Sequence, residues 1–209
     1  MKTLLIALRA TVLTLVLTGL FYPAVVTGAA QLLFPSAANG SLVKDASGAP
    51  VGSELIAQKF ARAEYFWPRP SAAGENGYDP LNSGGSNLGP TSKKLRDRVA
   101  AEVERLRKEN PEAPAQVPAE LVTTSGSGLD PDLSPTGALW QARRIARARK
   151  VDAGRVEALV REAAAGRALG FLGDPRVNVL ALNLALDRQF GAPPKAAAPV
   201  PAAPAPAAP

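Results

Sequence analysis

Residues 4–34 read LLIALRATVLTLVLTGLFYPAVVTGAAQLLF, an apolar run whose one charged side chain is Arg9. Apolar residues cover every face of a helix drawn through this run, and the central ones are Leu8, Leu13, Leu17 and Phe21. Such a helix needs lipid or a large core around it, and a chain of 209 residues has no core of that size. About 20 residues span a bilayer core. The run therefore predicts a transmembrane helix over residues 7–29, kinked at Pro23.

The flanking charges predict the orientation of this helix. Lys2 and Arg9 are the only charged residues before Lys44. By the positive-inside rule residues 1–6 are cytoplasmic and everything after Phe34 lies outside. A cleaved signal peptide, with Gly28-Ala29-Ala30 as its cleavage site, is the alternative. Signal peptides have apolar regions of about 7–15 residues, so the length of this run favours a retained anchor.

Composition limits what the rest of the chain can do. There is no cysteine and no histidine, which excludes disulfides, thiolate nucleophiles and a Ser-His-Asp triad. Residues 192–209 are Ala and Pro except for Lys195 and Val200, which predicts a disordered tail. Residues 35–191 remain as one extracytoplasmic domain. The formal net charge of +6 first suggests a nucleic-acid or phospholipid partner, but the predicted topology places the domain where no nucleic acid is expected.

Patterns within the domain predict a mixed α/β fold carried by a single N-terminal transmembrane helix. Predicted helices are a short one near residues 54–63, one capped by Thr91 over 92–109, one capped by Ser134 over 135–149, and one capped by Asp152. Predicted strands are 121–124 and 177–187. Leu180, Leu182, Leu184 and Leu186 alternate as in a strand, but Asp174-Pro175 resembles a helix start, so a helix over 177–187 is the alternative.

Two glycine-rich loops are candidate sites. The first comprises Ser83, Gly84, Gly85, Ser86 and Asn87, with Arg69 upstream. Residues 83–86 resemble part of a signature with which transporter ATPases contact a nucleotide. The second comprises Gly126, Ser127, Gly128 and Asp130. Neither loop completes a P-loop or a dinucleotide fingerprint. We expect docking to a partner, with nucleotide contact at the first loop as the alternative.

A hydrolase is the alternative function for the domain. Asp130 and Asp132 form a possible carboxylate pair, although two such residues around Pro131 more often make Asx turns. Ser92 beside Lys93 offers a Ser-Lys pair.

Two further features suggest surfaces that contact lipid or another protein. The five consecutive charges of one cluster are all basic, which favours lipid headgroups or an acidic partner; they are Arg143, Arg144, Arg147, Arg149 and Lys150. The aromatic run Tyr65-Phe66-Trp67 either straddles two packed layers or reaches the membrane interface or a partner.

Several stretches of this sequence together resemble the C subunits of bacterial Kdp potassium-transporting P-type ATPases. The resemblance is carried by residues 65–72, Tyr78, 83–90, 117–122, 125–131, 134–135, 141–149, 166–167, 169–173 and 175–187. With the membrane segment it covers about residues 4–190. The chain departs from the family at Pro68, where glycine is usual, at Asp132, where histidine is common, and in its Ala/Pro tail.

The resemblance implies a non-catalytic accessory subunit of a four-part potassium importer of the inner membrane. Its partners would be a channel-like subunit, a P-type ATPase subunit, a small single-span subunit and membrane lipid. The complex would use ATP, Mg and potassium, and no cofactor is predicted for this chain itself. Its role would be assembly and stabilisation, with an effect on ATP use. The sequence agrees in having no Asp-Lys-Thr-Gly phosphorylation motif.

Overall fold

The computed structural model describes residues 1–45 and 48–194. Its helices are α1 (Lys2–Val16), α2 (Tyr22–Leu33), α3 (Pro35–Ala38), α4 (Lys93–Glu109), α5 (Pro135–Arg149), α6 (Ala153–Ala163) and α7 (Val179–Phe190). Its strands are β1 (Leu42–Lys44), β2 (Pro50–Ser53), β3 (Asp132–Leu133) and β4 (Val177–Asn178). β1 pairs with β2 and β3 with β4, both antiparallel. The body is mixed helix and strand, as predicted. Most of the predicted tail, residues 195–209, lies outside the described residues.

The N-terminal apolar run forms one continuous helix from Lys2 to Leu33, whose most apolar stretch has a mean hydropathy of 2.2. Among the described residues it is the one helix long and apolar enough to cross a membrane. The anchor residues are all exposed, as lipid contact requires: Leu8, Leu13, Leu17 and Phe21. A π-helical turn at Leu17–Phe21 lies just before Pro23. Because proline has no N–H to donate, the helix accommodates it by this local widening.

Capping side chains start α4, α5 and α6. The side-chain oxygens of Ser92, Ser134 and Asp152 each accept a hydrogen bond from the backbone N–H three residues later. The helices predicted at 92–109, at 135–149 and after Asp152 are therefore confirmed. The first cap is Ser92, whereas Thr91 was predicted.

The strand predicted over residues 177–187 is wrong. Only Val177–Asn178 is extended, and the Asn178 side chain then accepts a bond from Ala181 N and starts α7. Val179, Leu182 and Leu186 are buried at helical spacing. The leucines that alternate along the chain therefore lie on more than one face of a helix.

Two shorter predictions are also wrong. Residues 121–124 do not form a strand, because Ala119–Leu121 makes a 3-10 turn and the Thr123 hydroxyl donates back to the Ala119 carbonyl. Residues 54–63 do not form a helix; in this stretch Ala57 N donates to the Leu129 carbonyl in a distant loop instead.

The hydrophobic core lies where α5, α6 and α7 pack together. Its fully buried members include Ile145, Val156, Val160, Leu182 and Leu186. Burying a side chain of this size contributes about 1.5–3 kcal/mol. The apolar stripes of the three helices therefore account for their mutual packing.

An aromatic segment, Tyr65–Trp67, enters this core, and no strand of the described residues, 1–45 and 48–194, pairs with it. Phe66 N donates to Asn183 Oδ1 at 2.8 Å, and Asn183 Nδ2 donates to the Phe66 carbonyl at 3.0 Å. Trp67 makes the same paired contact with Gln141, at 2.9 and 3.1 Å. Gln141 is fully buried and Asn183 is 2% exposed. We call these four bonds the amide clamp. Phe66 and Trp67 are thus core residues that straddle α5 and α7.

Arg144 completes the surroundings of the aromatic segment. Its guanidinium donates to the carbonyls of Ala63 and Tyr65 and to Gln141 Oε1, and its Cζ lies 3.6 Å from the centre of the Trp67 ring. Burial lowers the pKa of Arg144 to about 9, so the side chain stays cationic at neutral pH.

The amide clamp predicts a large cost for Gln141→Ala. The change leaves the buried N–H and C=O of Trp67 unpaired, and each unpaired group costs about 1–3 kcal/mol. We expect the free energy of unfolding of the detergent-solubilised chain, followed by tryptophan fluorescence in urea, to fall by about 2–4 kcal/mol. Gln189→Ala, on the exposed side of α7, is the control and should change it by less than about 0.5 kcal/mol. Equal effects of the two changes would contradict the clamp.

Candidate functional site at the junction of two glycine-rich loops

The two glycine-rich loops predicted from sequence lie against each other. Gly84 N and Ser83 Oγ both donate to the Ser127 carbonyl, at 2.8 and 3.0 Å. Thr124 Oγ1 donates to Ser86 Oγ at 3.2 Å. We call this region, formed by Arg69 with residues 83–87 and 124–130, the loop junction. Its outer edge carries Asn87, which is exposed and adopts a left-handed backbone conformation with φ of 50°.

Arg69 reaches the second loop from the end of the aromatic segment. Its Nη1 lies 2.9 Å from Asp130 Oδ2, and its Nη2 donates to the Thr124 carbonyl at 3.3 Å. The amide clamp holds Trp67 two residues upstream and so fixes where Arg69 begins. Its Nε is buried and has no hydrogen-bond partner within residues 1–45 and 48–194. The two Nη atoms of Arg69 thus hold the loop junction together.

Glycine is required where the loops touch. Gly128 has φ of +67°, and a Cβ there would lie 2.5 Å from the Gly84 carbonyl oxygen and 2.8 Å from Ala73 N. Neither atom belongs to a flexible side chain that could move aside. The second loop thus approaches the first as closely as backbone contact allows.

A shallow depression of about 520 Å³ opens beside the loop junction. It is lined in part by Leu55, Ile56, Ser83, Ser127 and Asp130. Leu55 is 59% exposed, so the surface combines an apolar wall with polar groups. Such a combination suits recognition of a protein surface.

Tyr78 and Ser71 support the backbone at Arg69, a role that sequence analysis did not assign to them. Tyr78 OH donates to the Arg69 carbonyl at 2.8 Å, and Ser71 Oγ accepts from the backbone N–H of Tyr78 at 2.8 Å. Burial raises the pKa of Tyr78 to about 12, so it is a neutral donor at physiological pH. Tyr78 has a φ of 58° and follows Gly77, also left-handed. The glycine-rich sequence around it was the available signal for a tight turn.

The candidate hydrolytic groups serve structural roles. Asp130 Oδ1 accepts from Asp132 N at 3.1 Å, which is the predicted Asx turn around Pro131. Partial burial raises the pKa of Asp132, while Arg176 at 3.3 Å opposes that shift. Ser92 caps α4, and neighbouring Lys93 pairs with Asp97. Across the described ranges, 1–45 and 48–194, no group of three or more Asp or Glu is placed to hold a metal ion.

Two of the five side chains in the basic cluster at the end of α5 are buried. Arg144 and the side chain of Arg149 are 3% and 4% exposed, and Arg149 pairs with Asp187 at 2.7 Å. Arg143 donates to the Glu112 carbonyl, and Arg147 pairs with the Glu112 side chain. The predicted role in binding lipid headgroups or an acidic partner is therefore wrong for Arg144 and Arg149, because both side chains are buried among internal partners. It stays a prediction for Arg143, Arg147 and Lys150, which are exposed.

The contact at Gly128 predicts that Gly128→Ala weakens the loop junction. The new methyl group meets backbone atoms of two other segments, and alanine is strained at this φ. We expect the thermal midpoint of the detergent-solubilised chain to fall by several degrees, as for a loss of about 1–2 kcal/mol. Gly84→Ala is the control, because a Cβ there meets nothing within 4 Å. A midpoint lowered as much by Gly84→Ala as by Gly128→Ala would contradict this packing.

The fold and the loop junction can now be compared with known proteins. Residues 4–188 match the family model KdpC, described as the c chain of the K+-transporting ATPase. A potassium-transporting ATPase KdpC subunit of Myxococcus xanthus is 65% identical over 94% of this chain and 92% of its own length. Subunits of the same name from Rhodospirillum rubrum and Geobacter sulfurreducens are 56% and 50% identical. They cover 83% and 90% of this chain, and 89% and 98% of their own lengths. The chain belongs to the KdpC family.

Proposed function

We propose that this chain is the non-catalytic accessory subunit of an ATP-driven potassium import complex of the inner membrane. The observation that carries the proposal is the family match over residues 4–188, which includes the apolar N-terminal helix and the body in one continuous stretch. The relatives are named as subunits of a potassium-transporting ATPase. Membrane anchor and body are accordingly parts of one subunit.

The chemistry of the loop junction supports an accessory role. A nucleophile or general base must have an atom free to meet substrate. Here Asp130 faces Arg69 and the Asp132 N–H, and Ser127 Oγ accepts from Leu129 N. Polar groups that hold two loops in one shape are suited to recognition. Nucleotide contact at residues 83–86 stays a separate prediction, and it requires the loop to be accessible to ATP.

Within the complex we assign this chain to assembly. The body would stabilise the channel-like subunit against the ATPase subunit and the small single-span subunit, and through that contact affect the use of ATP. The preorganised backbone of the loop junction favours such a role, since a recognition loop that is already ordered loses little conformational entropy on binding.

The accessory role predicts co-purification. When the full-length chain carries an affinity tag and native membranes are extracted with mild detergent, we expect the larger subunits of a potassium-transporting ATPase to be recovered with it. An unrelated single-span protein with the same tag controls for adventitious capture. Recovery of the tagged chain alone would contradict the proposal.

The proposed topology predicts a labelling pattern. The chain has no cysteine, so single cysteines report position without further changes. In spheroplasts we expect a membrane-impermeant maleimide to label Glu75→Cys, an exposed site in the body, and to label Thr3→Cys only after permeabilisation. The reverse pattern would place the body in the cytoplasm. Loss of Thr3→Cys from the mature chain would instead indicate a cleaved signal peptide.

A further inference from the structure

Residues 165–176 form a hairpin between α6 and β4. Ala165 and Arg176 exchange two backbone hydrogen bonds, and Ala168 and Leu172 exchange two more at 2.9 Å. The turn between them has positive φ at Leu169 and Gly170, 53° and 82°. Two successive left-handed residues are typical of the tight turn that closes a twisted hairpin. The element, which we call the 165–176 hairpin, is thus defined by its own bonds.

Its tip is apolar and open to solvent. Leu169 is 83% exposed, Phe171 is 68% exposed and Leu172 is 51% exposed. Single exposed apolar residues are common, but three large ones within four positions of a short hairpin form a patch. Aromatic and aliphatic side chains grouped in this way serve as anchors at protein interfaces.

The charges around the tip do not favour a lipid surface. Arg167 lies 3.2 Å from Asp174, and Arg176 lies 3.3 Å from Asp132. Attraction to anionic headgroups depends on clusters of lysine and arginine, and Asp174, which is 89% exposed, would oppose it. Apolar anchors surrounded by charges of both signs match the centre and rim of a protein interface.

The base of the hairpin is tied to the segment that leaves the N-terminal helix. Asn178 Nδ2 donates to the Glu54 carbonyl at 2.9 Å, and Glu54 N donates to the Ser41 carbonyl at 3.1 Å. Ser41 follows α3, which is separated from the apolar helix by a single non-helical residue, Phe34. The hairpin therefore begins close to where the chain meets the membrane, which is where the exposed surface of a membrane-embedded partner lies.

We propose that the 165–176 hairpin is a docking element of the chain. It inserts Leu169, Phe171 and Leu172 into an apolar recess with a polar rim on a larger membrane-embedded subunit of the same complex. The inference rests on the proposed function, since it needs a complex to dock to. The inference identifies which element of this chain makes the contact, and what kind of surface on the partner receives it.

Substitutions at the tip test the proposal in the full complex. The double variant Leu169→Ser, Phe171→Ser should lower the fraction of this chain retained on a tagged larger subunit during washing in detergent by about tenfold or more. Leu81→Ser is the matched control, because Leu81 is 90% exposed in a different loop and its loss should leave retention unchanged. A second pair, Leu169→Met and Phe171→Met, keeps the tip apolar and should retain binding, which separates lost docking from misfolding.

The possible outcomes test the hairpin proposal separately from the proposed function. If wild type is retained and the serine variant is retained equally, the hairpin proposal is overturned and the proposed function stands. If wild type itself is not retained, both fail. Loss of the methionine pair together with the serine pair would also overturn the assignment, because apolar character would then not decide binding.

A proteolysis experiment distinguishes protein from lipid as the occupant. Trypsin should cut after Arg167 when the full chain is reconstituted alone in vesicles of phosphatidylcholine and phosphatidylglycerol, and should cut there at least about tenfold more slowly in the assembled complex. Equal protection in vesicles without a partner would show that the hairpin enters lipid and would overturn the proposal.

Discussion

The body depends on satisfying the peptide groups of one aromatic segment in its core. Phe66 and Trp67 bury their backbone as well as their rings, and an unpaired buried peptide group is costly. No strand runs beside them in the described structure; the side-chain amides of Asn183 and Gln141 take the place of a neighbouring backbone. Because one amide comes from α7 and the other from α5, the same four bonds fix the positions of both helices.

The functional surfaces extend from this arrangement. Directly after Trp67 the chain reaches Arg69, which joins the two glycine-rich loops through Asp130. At the other end, α7 carries Asn183 and is capped by Asn178, the residue that ends β4 and anchors the base of the 165–176 hairpin. The buried amide clamp is thus linked to the loop junction through Arg69 and to the base of the hairpin through α7 and Asn178. A fixed arrangement of this kind agrees with the proposed role in assembly.

The sequence predicted the features that depend on interactions between residues close together in the chain. The apolar run specified its helix, and Ser134 and Asp152 marked helix starts because a cap acts within three residues. For α4 the predicted cap, Thr91, is one residue before the observed cap, Ser92. Both loops of the junction were identified, but their mutual contact was not, since it depends on pairs such as Arg69 and Asp130. The same limit explains the error at Arg144 and Arg149 of α5, whose partners, among them the Ala63 carbonyl and Asp187, are far away in sequence. The error at residues 177–187 was a local one, because the alternating leucines favoured a strand although Asn178 caps α7.

Amide hydrogen exchange across the aromatic segment tests this account most directly. In the detergent-solubilised full chain, peptides that contain Phe66 and Trp67 should exchange as slowly as those from α5, because side-chain amides hold their N–H groups in a dry core. The segment has no regular secondary structure, so nothing but the amide clamp predicts that protection. Exchange as fast as in the loop at residues 74–77 would contradict the claim that this segment organises the body.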